Sequence, residues 1–152
     1  MDLRTYLEQN GVRFQWMSHP ATYTSQDLAH VEHISGRNVV KPVVVQADGR
    51  FLLCALPASH RVDLDELRRE LHAENVALAD EMQIRRLCPD CEVGAEPPIG
   101  ALFGLPTIMD DSLFADEEVA FQAGTHQDAV RMSFSEFFRL ARPTVGHFGK
   151  CA

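Results

Sequence analysis

The chain has 152 residues, 45% hydrophobic and 24% charged, which fits one globular domain large enough to bury a full core. Its 22 acidic against 14 basic side chains give a net charge of −8, which argues against a protein that holds nucleic acid by its overall field. No apolar run reaches membrane-span length, and the opening MDLRTYLEQN is acidic and amphipathic rather than a signal peptide, so the expected location is the cytoplasm, with no membrane partner.

Asp2 to Asn10 predicts a short helix with Leu3, Tyr6 and Leu7 on one face and Gly11 at the stop. Val12 to Met17 alternates as a half-buried strand does. Thr24 or Ser25 can cap a helix carrying Leu28, Ala29 and Val31. Val39 to Gln46 and Arg50 to Leu56 predict two strands joined by an Asp48-Gly49 hairpin turn. Asp63 with Glu66, and Asp80 with Gln83, fit the capping-box spacing, each opening a short helix, with strand-like Val76 to Leu78 between them.

Residues 88 to 106 predict a loop rich in Pro and Gly. Thr107 to Met109, Glu118 to Ala123 and Ala129 to Met132 are short strand candidates. Ser133 with Glu136 opens a final helix to about Ala141, and Pro143 onward is expected to be a tail. Helices and strands alternate without a strict βαβ rhythm and no linker divides them. The expected fold is therefore one α/β domain whose mixed sheet is partly covered by helices.

Lys41 is the most informative single residue. In Val39-Val40-Lys41-Pro42-Val43-Val44-Val45, strand alternation puts it on the same side as Val39, Val43 and Val45. An ammonium among valines needs an anionic partner, or its pKa falls. The same residues also fit an edge-strand lysine reaching water, and Pro42 supports an edge or bulge.

Cys91-Glu-Val-Gly94-Ala95-Glu-Pro97-Pro98-Ile-Gly100 places two prolines between flexible glycines, a rigid loop that lets a ligand approach main-chain N–H groups. It also fits an ordinary connection. In Phe121-Gln-Ala-Gly124-Thr125-His126-Gln127 a strand breaks into a turn that can present Thr125 and His126, or simply solvate them.

Cys88-Pro-Asp-Cys91 invites a zinc or redox reading, yet no second ligand pair follows and no helix starts after it, so no metal is expected there. With Cys54 and Cys151 the four cysteines are too few and scattered for a disulfide framework. GxSxG, P-loop and HExxH motifs are absent, and His19-Pro20 and His60-Arg61 are expected to be loop positions. The Phe134, Phe137, Phe138 cluster fits the core better than an interface.

Taken as an ordered series, Ser18-His19-Pro20-Ala21, VVKPVVV, QADGRFLLCALPA, RVDLDELRREL, CEVGAEPPIG, DDSLF and FQAGTHQDAVRMSFSEF resemble the YbaK/prolyl-tRNA editing-domain family from about Trp16 to Ala141. The resemblance implies one domain over residues 1–152 with a mixed, partly barrel-like sheet. It implies a trans-acting hydrolase that removes a noncognate amino acid from the tRNA 3′ end without metal, cofactor or covalent nucleophile. Lys41 would then be the catalytic residue, holding phosphate or substrate polar groups. Gly94, Ala95, Pro98 and Gly100 would line the aminoacyl pocket, and Gly124, Thr125 and His126 would flank it.

Three features qualify the likeness. Pro42 follows the lysine where family members often carry a β-branched residue. Gln122-Ala123 stand where members that clear alanine tend to have His-Pro. The net charge of −8 leaves little for the tRNA body, so contact at the 3′ end, or help from an aminoacyl-tRNA synthetase or elongation factor, is expected. Two other readings remain: a non-catalytic module that binds tRNA or a synthetase, and a hydrolase of another small acyl ester.

Overall fold

The computed structural model describes residues 2–20, 28–29 and 38–151. The first helix, α1 (Leu3–Gln9), is capped by the Asp2 carboxylate, which accepts the Thr5 N–H at 2.8 Å, and it buries Leu3 and Leu7. Strand β1 (Gln15–Ser18) follows. The helix expected from Thr24 or Ser25 lies outside the described residues except for Leu28 and Ala29, both buried.

Strands β2 (Val40–Ala47) and β3 (Arg50–Pro57) form the expected hairpin, in register from Val40 opposite Pro57 to Ala47 opposite Arg50. Next come β4 (His60–Val62), α2 (Leu64–Leu71), β5 (Val76–Leu78) and α3 (Glu81–Leu87). Both acidic caps open a helix, but only Asp80 and Gln83 form the reciprocal box; Asp63 accepts the N–H groups of Asp65 and Glu66, while its own N–H donates to the Phe148 carbonyl and Glu66 takes Arg69 instead. A 3₁₀ turn at Gly100–Phe103 leads into β6 (Thr107–Asp110), and a second one (Asp111–Ala115) into β7 (Glu118–Gln122). β8 (Asp128–Ser133) runs directly into α4 (Phe134–Ala141), whose cap is Ser133. The chain closes with β9 (Thr144–Gly146) and β10 (Gly149–Cys151).

Five strands make one mixed sheet in the order β5-β2-β3-β6-β9, and β1-β8-β7 make a second, antiparallel one. The two sheets touch at the parallel bridge between Val39 and Ala120, and their facing sides enclose the main core of Leu53, Ile99, Met109, Phe121, Val130 and Phe137. The opposite face of the large sheet packs Val45, Cys54 and Leu56 against Leu67 of α2 and Phe148. Burying each such side chain contributes roughly 1.5–3 kcal/mol. Phe137 is fully buried, while Phe134 and Phe138 are half-buried, pack on each other at a centroid distance of 5.9 Å, and meet exposed Phe114 at 5.5 and 5.6 Å.

The expected tail after Pro143 is structured instead. β9 pairs in parallel with β6, β10 pairs with β4, and Phe148 is buried between them. The buried Asp110 carboxylate holds this end by accepting the N–H groups of Phe148 at 2.9 Å and Gly149 at 2.7 Å. Three-residue strands broken by glycines carry too little periodicity to be seen in sequence.

Candidate functional site

The Pro/Gly loop and the Gly124–His126 turn are one hydrogen-bonded unit. The Glu92 N–H donates to the Gly124 carbonyl, and the Gly124 N–H donates to the Ala95 carbonyl, both at 2.8 Å. The His126 N–H reaches Glu92 Oε1 at 2.7 Å, and His126 Nε2 lies 2.9 Å from the Val93 carbonyl, which fixes the ring hydrogen on Nε2. Gly94 and Gly124 sit at φ of 89° and 95°, conformations that glycine adopts without a side-chain clash.

Beneath the turn, Thr125 Oγ1 donates to Asp128 Oδ2 at 2.7 Å. Asp128 Oδ1 accepts Trp16 Nε1 and Ser18 Oγ, each at 3.2 Å, which ties the turn to β1. The Thr125 hydroxyl, and with it the Trp16 and Ser18 donors, holds the Asp128 carboxyl below its ordinary value against the effect of partial burial. His19, expected as a loop residue, is tied to the same place through its N–H, which donates to the Gln127 carbonyl at 2.9 Å.

Two clefts flank the unit. The larger, about 420 Å³, is lined by Arg86, Cys91, Pro97, Phe103, Gly124 and Thr125 among others. The smaller, about 250 Å³, lies between the loop and β2; Gly94 and Glu96 form one wall and Pro42 and Val44 the other. Ala95, Pro98 and Gly100 are buried behind these surfaces. Gly100 donates to Thr107 Oγ1 at 2.9 Å, and a Cβ there would lie 2.4 Å from the Leu105 carbonyl oxygen, so this glycine is required by packing.

Lys41 alternates along β2 with Pro42 and Val44, and its Nζ makes a long hydrogen bond, 3.4 Å, to the Ala58 carbonyl. Among the described residues no carboxylate forms an ion pair with it, and burial lowers its pKa. No hydrogen bond joins it to the loop or the turn among the described residues, so the loop and turn meet each other while the lysine borders them through its neighbour Pro42.

The residue that sequence reasoning passed over is Glu96. It is 5% exposed, lines the smaller cleft, and accepts the Gly94 N–H at 2.7 Å through Oε2. Burial raises its pKa, against the Gly94 hydrogen bond and the field of His126. In sequence it is one of two acids in the segment, with Glu92, and only its burial sets it apart. Asp128 was legible, three residues after Thr125 at the strand entry.

Cys88 and Cys91 are free thiols, pushed up by burial to about 12 and about 11. Among the described residues, Asp110, Asp111 and His147 bring ligand atoms within 4.8 Å of one another. Both Asp110 oxygens already accept main-chain N–H groups, one also the Ser112 hydroxyl, and His147 Nδ1 bonds Asp111 at 3.0 Å. This cluster therefore has a structural explanation in anchoring the chain end.

Comparison with known proteins bears on the family and the fold. The chain is 25% identical over 151 residues to the multifunctional Ser/Thr-tRNA deacylase ProXp-y of Escherichia coli K12, spanning 96% of this chain and 90% of that protein. A solved structure described as a trans-editing enzyme for prolyl-tRNA synthetase superposes with a TM-score of 0.86 at 23% identity, covering 97% of this chain and 94% of that one. A scaffold protein used for epitope grafting gives 0.87 at 23%, covering 97% and 95%; these two likenesses concern the fold. The model of the aminoacyl-tRNA editing domain matches residues 19–140, most of the chain, and the protein belongs to that family.

Proposed function

We propose that this chain hydrolyses the ester between a noncognate amino acid and the 3′ end of tRNA, acting in trans as an aminoacyl-tRNA deacylase, with residues 1–152 as one editing domain. The observation that carries the site assignment is the cleft between the loop at Gly94–Glu96 and β2 at Pro42–Val44, braced from behind by the Gly124–His126 turn.

An aminoacyl ester is already activated, so positioning and oriented dipoles supply much of the rate. In this reading Gly94 and Glu96 of the loop wall the aminoacyl group, Lys41 of β2 holds phosphate or ester oxygens of the tRNA end, and a neighbouring ribose hydroxyl of the substrate carries the proton. The Gly124–His126 turn sets the loop's position. Discrimination between small side chains is weak at a single site, which is why a second, hydrolytic site with apolar walls is useful. The E. coli relative named for serine and threonine makes those the first substrates to test. Among the described residues no helix is long and apolar enough to cross a membrane.

The net charge of −8 points to recognition confined to the tRNA end, with a synthetase or elongation factor delivering the substrate. A panel of mischarged tRNAs tests the whole reading. Rapid release of one or a few small amino acids is the expected result; tight tRNA binding without release would instead identify a binding module.

A further inference from the structure

Glu96 is a buried carboxylate in a cleft whose other walls are largely apolar, among them Pro42, Val44, Leu78, Ile84 and Val93. An ionised carboxylate in such surroundings is costly unless a cation or several hydrogen-bond donors face it. Oε2 takes the Gly94 N–H, and the main-chain N–H groups of Ala95 and Glu96 and the field of His126 also favour the charge, yet burial outweighs them all, and among the described residues no Lys, Arg or His forms an ion pair with it. The Gly94 bond also aims the group, because it fixes the carboxylate against the loop that faces β2. The protein thus holds one half of an ion pair at the wall of the cleft assigned to the aminoacyl group.

We propose that Glu96 binds the α-ammonium group of the amino acid being removed, so that the cleft selects an aminoacyl ester carrying a free amine. This deepens the deacylase reading and rests on it for the identity of the occupant. A misattached amino acid ester presents one small cation next to the scissile carbonyl, whatever its side chain. An amine held by Glu96 fixes the ester at the wall of the cleft and lets the apolar walls judge side-chain volume. Peptidyl-tRNA, whose terminal residue has an acylated nitrogen, then lacks the charge and carries extra bulk. The site rejects it on both counts, which protects chains under synthesis from hydrolysis.

The experiment compares two non-hydrolysable mimics of the aminoacyl terminus, 3′-deoxy-3′-(L-serylamino)adenosine and its N-acetyl form, bound to the wild-type protein and to Glu96→Gln by calorimetry. Seryl-tRNA and N-acetylseryl-tRNA hydrolysis are measured in parallel. Wild type is expected to favour the free amine about 10- to 100-fold in both assays, in KM more than kcat, with the binding preference abolished in Glu96→Gln. The glutamine keeps an oxygen for the Gly94 N–H, and a thermal melt checks that the loop survives. Equal affinity of wild type for both mimics, absence of binding to either, or a preference that persists in Glu96→Gln overturns the proposal. Equal weakening of both mimics by the substitution does so too, because it marks Glu96 as a loop support only. A Glu96-dependent preference in binding without turnover of seryl-tRNA sustains the ammonium site while removing the deacylase reading for that substrate.

Discussion

Gly124 donates its N–H to the carbonyl of Ala95 at 2.8 Å, and this bond makes the late turn the rear brace of the loop that walls the smaller cleft. With Glu92 bonded to Gly124 and His126 bonded to Val93, a change on either segment reaches the other. The turn residues thereby act through the loop even where they do not line that cleft.

Gly94→Ala tests the loop. At φ of 89° an alanine is strained, so the substitution should cost about 1–3 kcal/mol, read as a Tm lowered by about 3–10 °C. Deacylation should fall further than the melt accounts for at a temperature where the variant is still folded, because Gly94 also positions Glu96. An unchanged substrate profile would place the loop away from the site.

Asp128 gives an acid-side signature. Its carboxyl is held below 3.8, chiefly by the Thr125 hydroxyl, so its contribution to stability is complete above that value and is lost as pH falls through the lower folded pKa. Trp16, whose Nε1 bonds Asp128, is the sole tryptophan, so its fluorescence reports this contact. A Trp16 transition below about pH 4 is expected, and Asp128→Asn should remove it. A transition unchanged in the variant assigns it to another carboxyl.

The cysteines should differ sharply in reactivity. Burial pushes Cys54 and Cys88 to about 12 and Cys91 to about 11, which leaves almost no thiolate at neutral pH, whereas Cys151 is exposed. Iodoacetamide at pH 7.5 followed by peptide mass mapping should find Cys151 alkylated first. Rapid labelling of Cys91 would contradict a shielded, protonated thiol and reopen a redox role for the pair.

Much of this was legible in sequence because it depended on local chemistry. Capping carboxylates at Asp63 and Asp80, the Asp48-Gly49 turn and the alternation along β2 are short-range signals, and each forms as its residues require. The loop and the turn were also found, as ordered pieces of a family pattern. What local signals could not give was their meeting, since Ala95 and Gly124 are joined only through tertiary hydrogen bonds. The same limit hid β9 and β10, which exist because β6, β4 and Asp110 offer them partners. Glu96 was overlooked for a different reason: in sequence it resembles any surface acid, and only burial makes it unusual.

The decisive substitution is Lys41→Met. Lys41 is half-buried on β2, without a carboxylate partner among the described residues, and burial lowers its pKa. A lysine whose folded pKa is depressed opposes folding while it is charged, and that opposition fades as pH rises through the folded pKa. Methionine has similar volume and no charge to desolvate, so the variant should melt at or slightly above the parent temperature near neutral pH. It forgoes the 3.4 Å hydrogen bond to the Ala58 carbonyl, which is long and contributes little. If the ammonium is there for the substrate, its removal strips the transition state of an interaction worth about 3–4 kcal/mol, a loss of about 10²–10³ in rate. Deacylation time courses on mischarged tRNA, paired with melts of both proteins, separate the two effects. A variant that melts like the parent and no longer hydrolyses places the charge in the chemistry. A variant that hydrolyses normally makes Lys41 a strand-edge residue and leaves catalysis to the loop dipoles and the substrate's own hydroxyl.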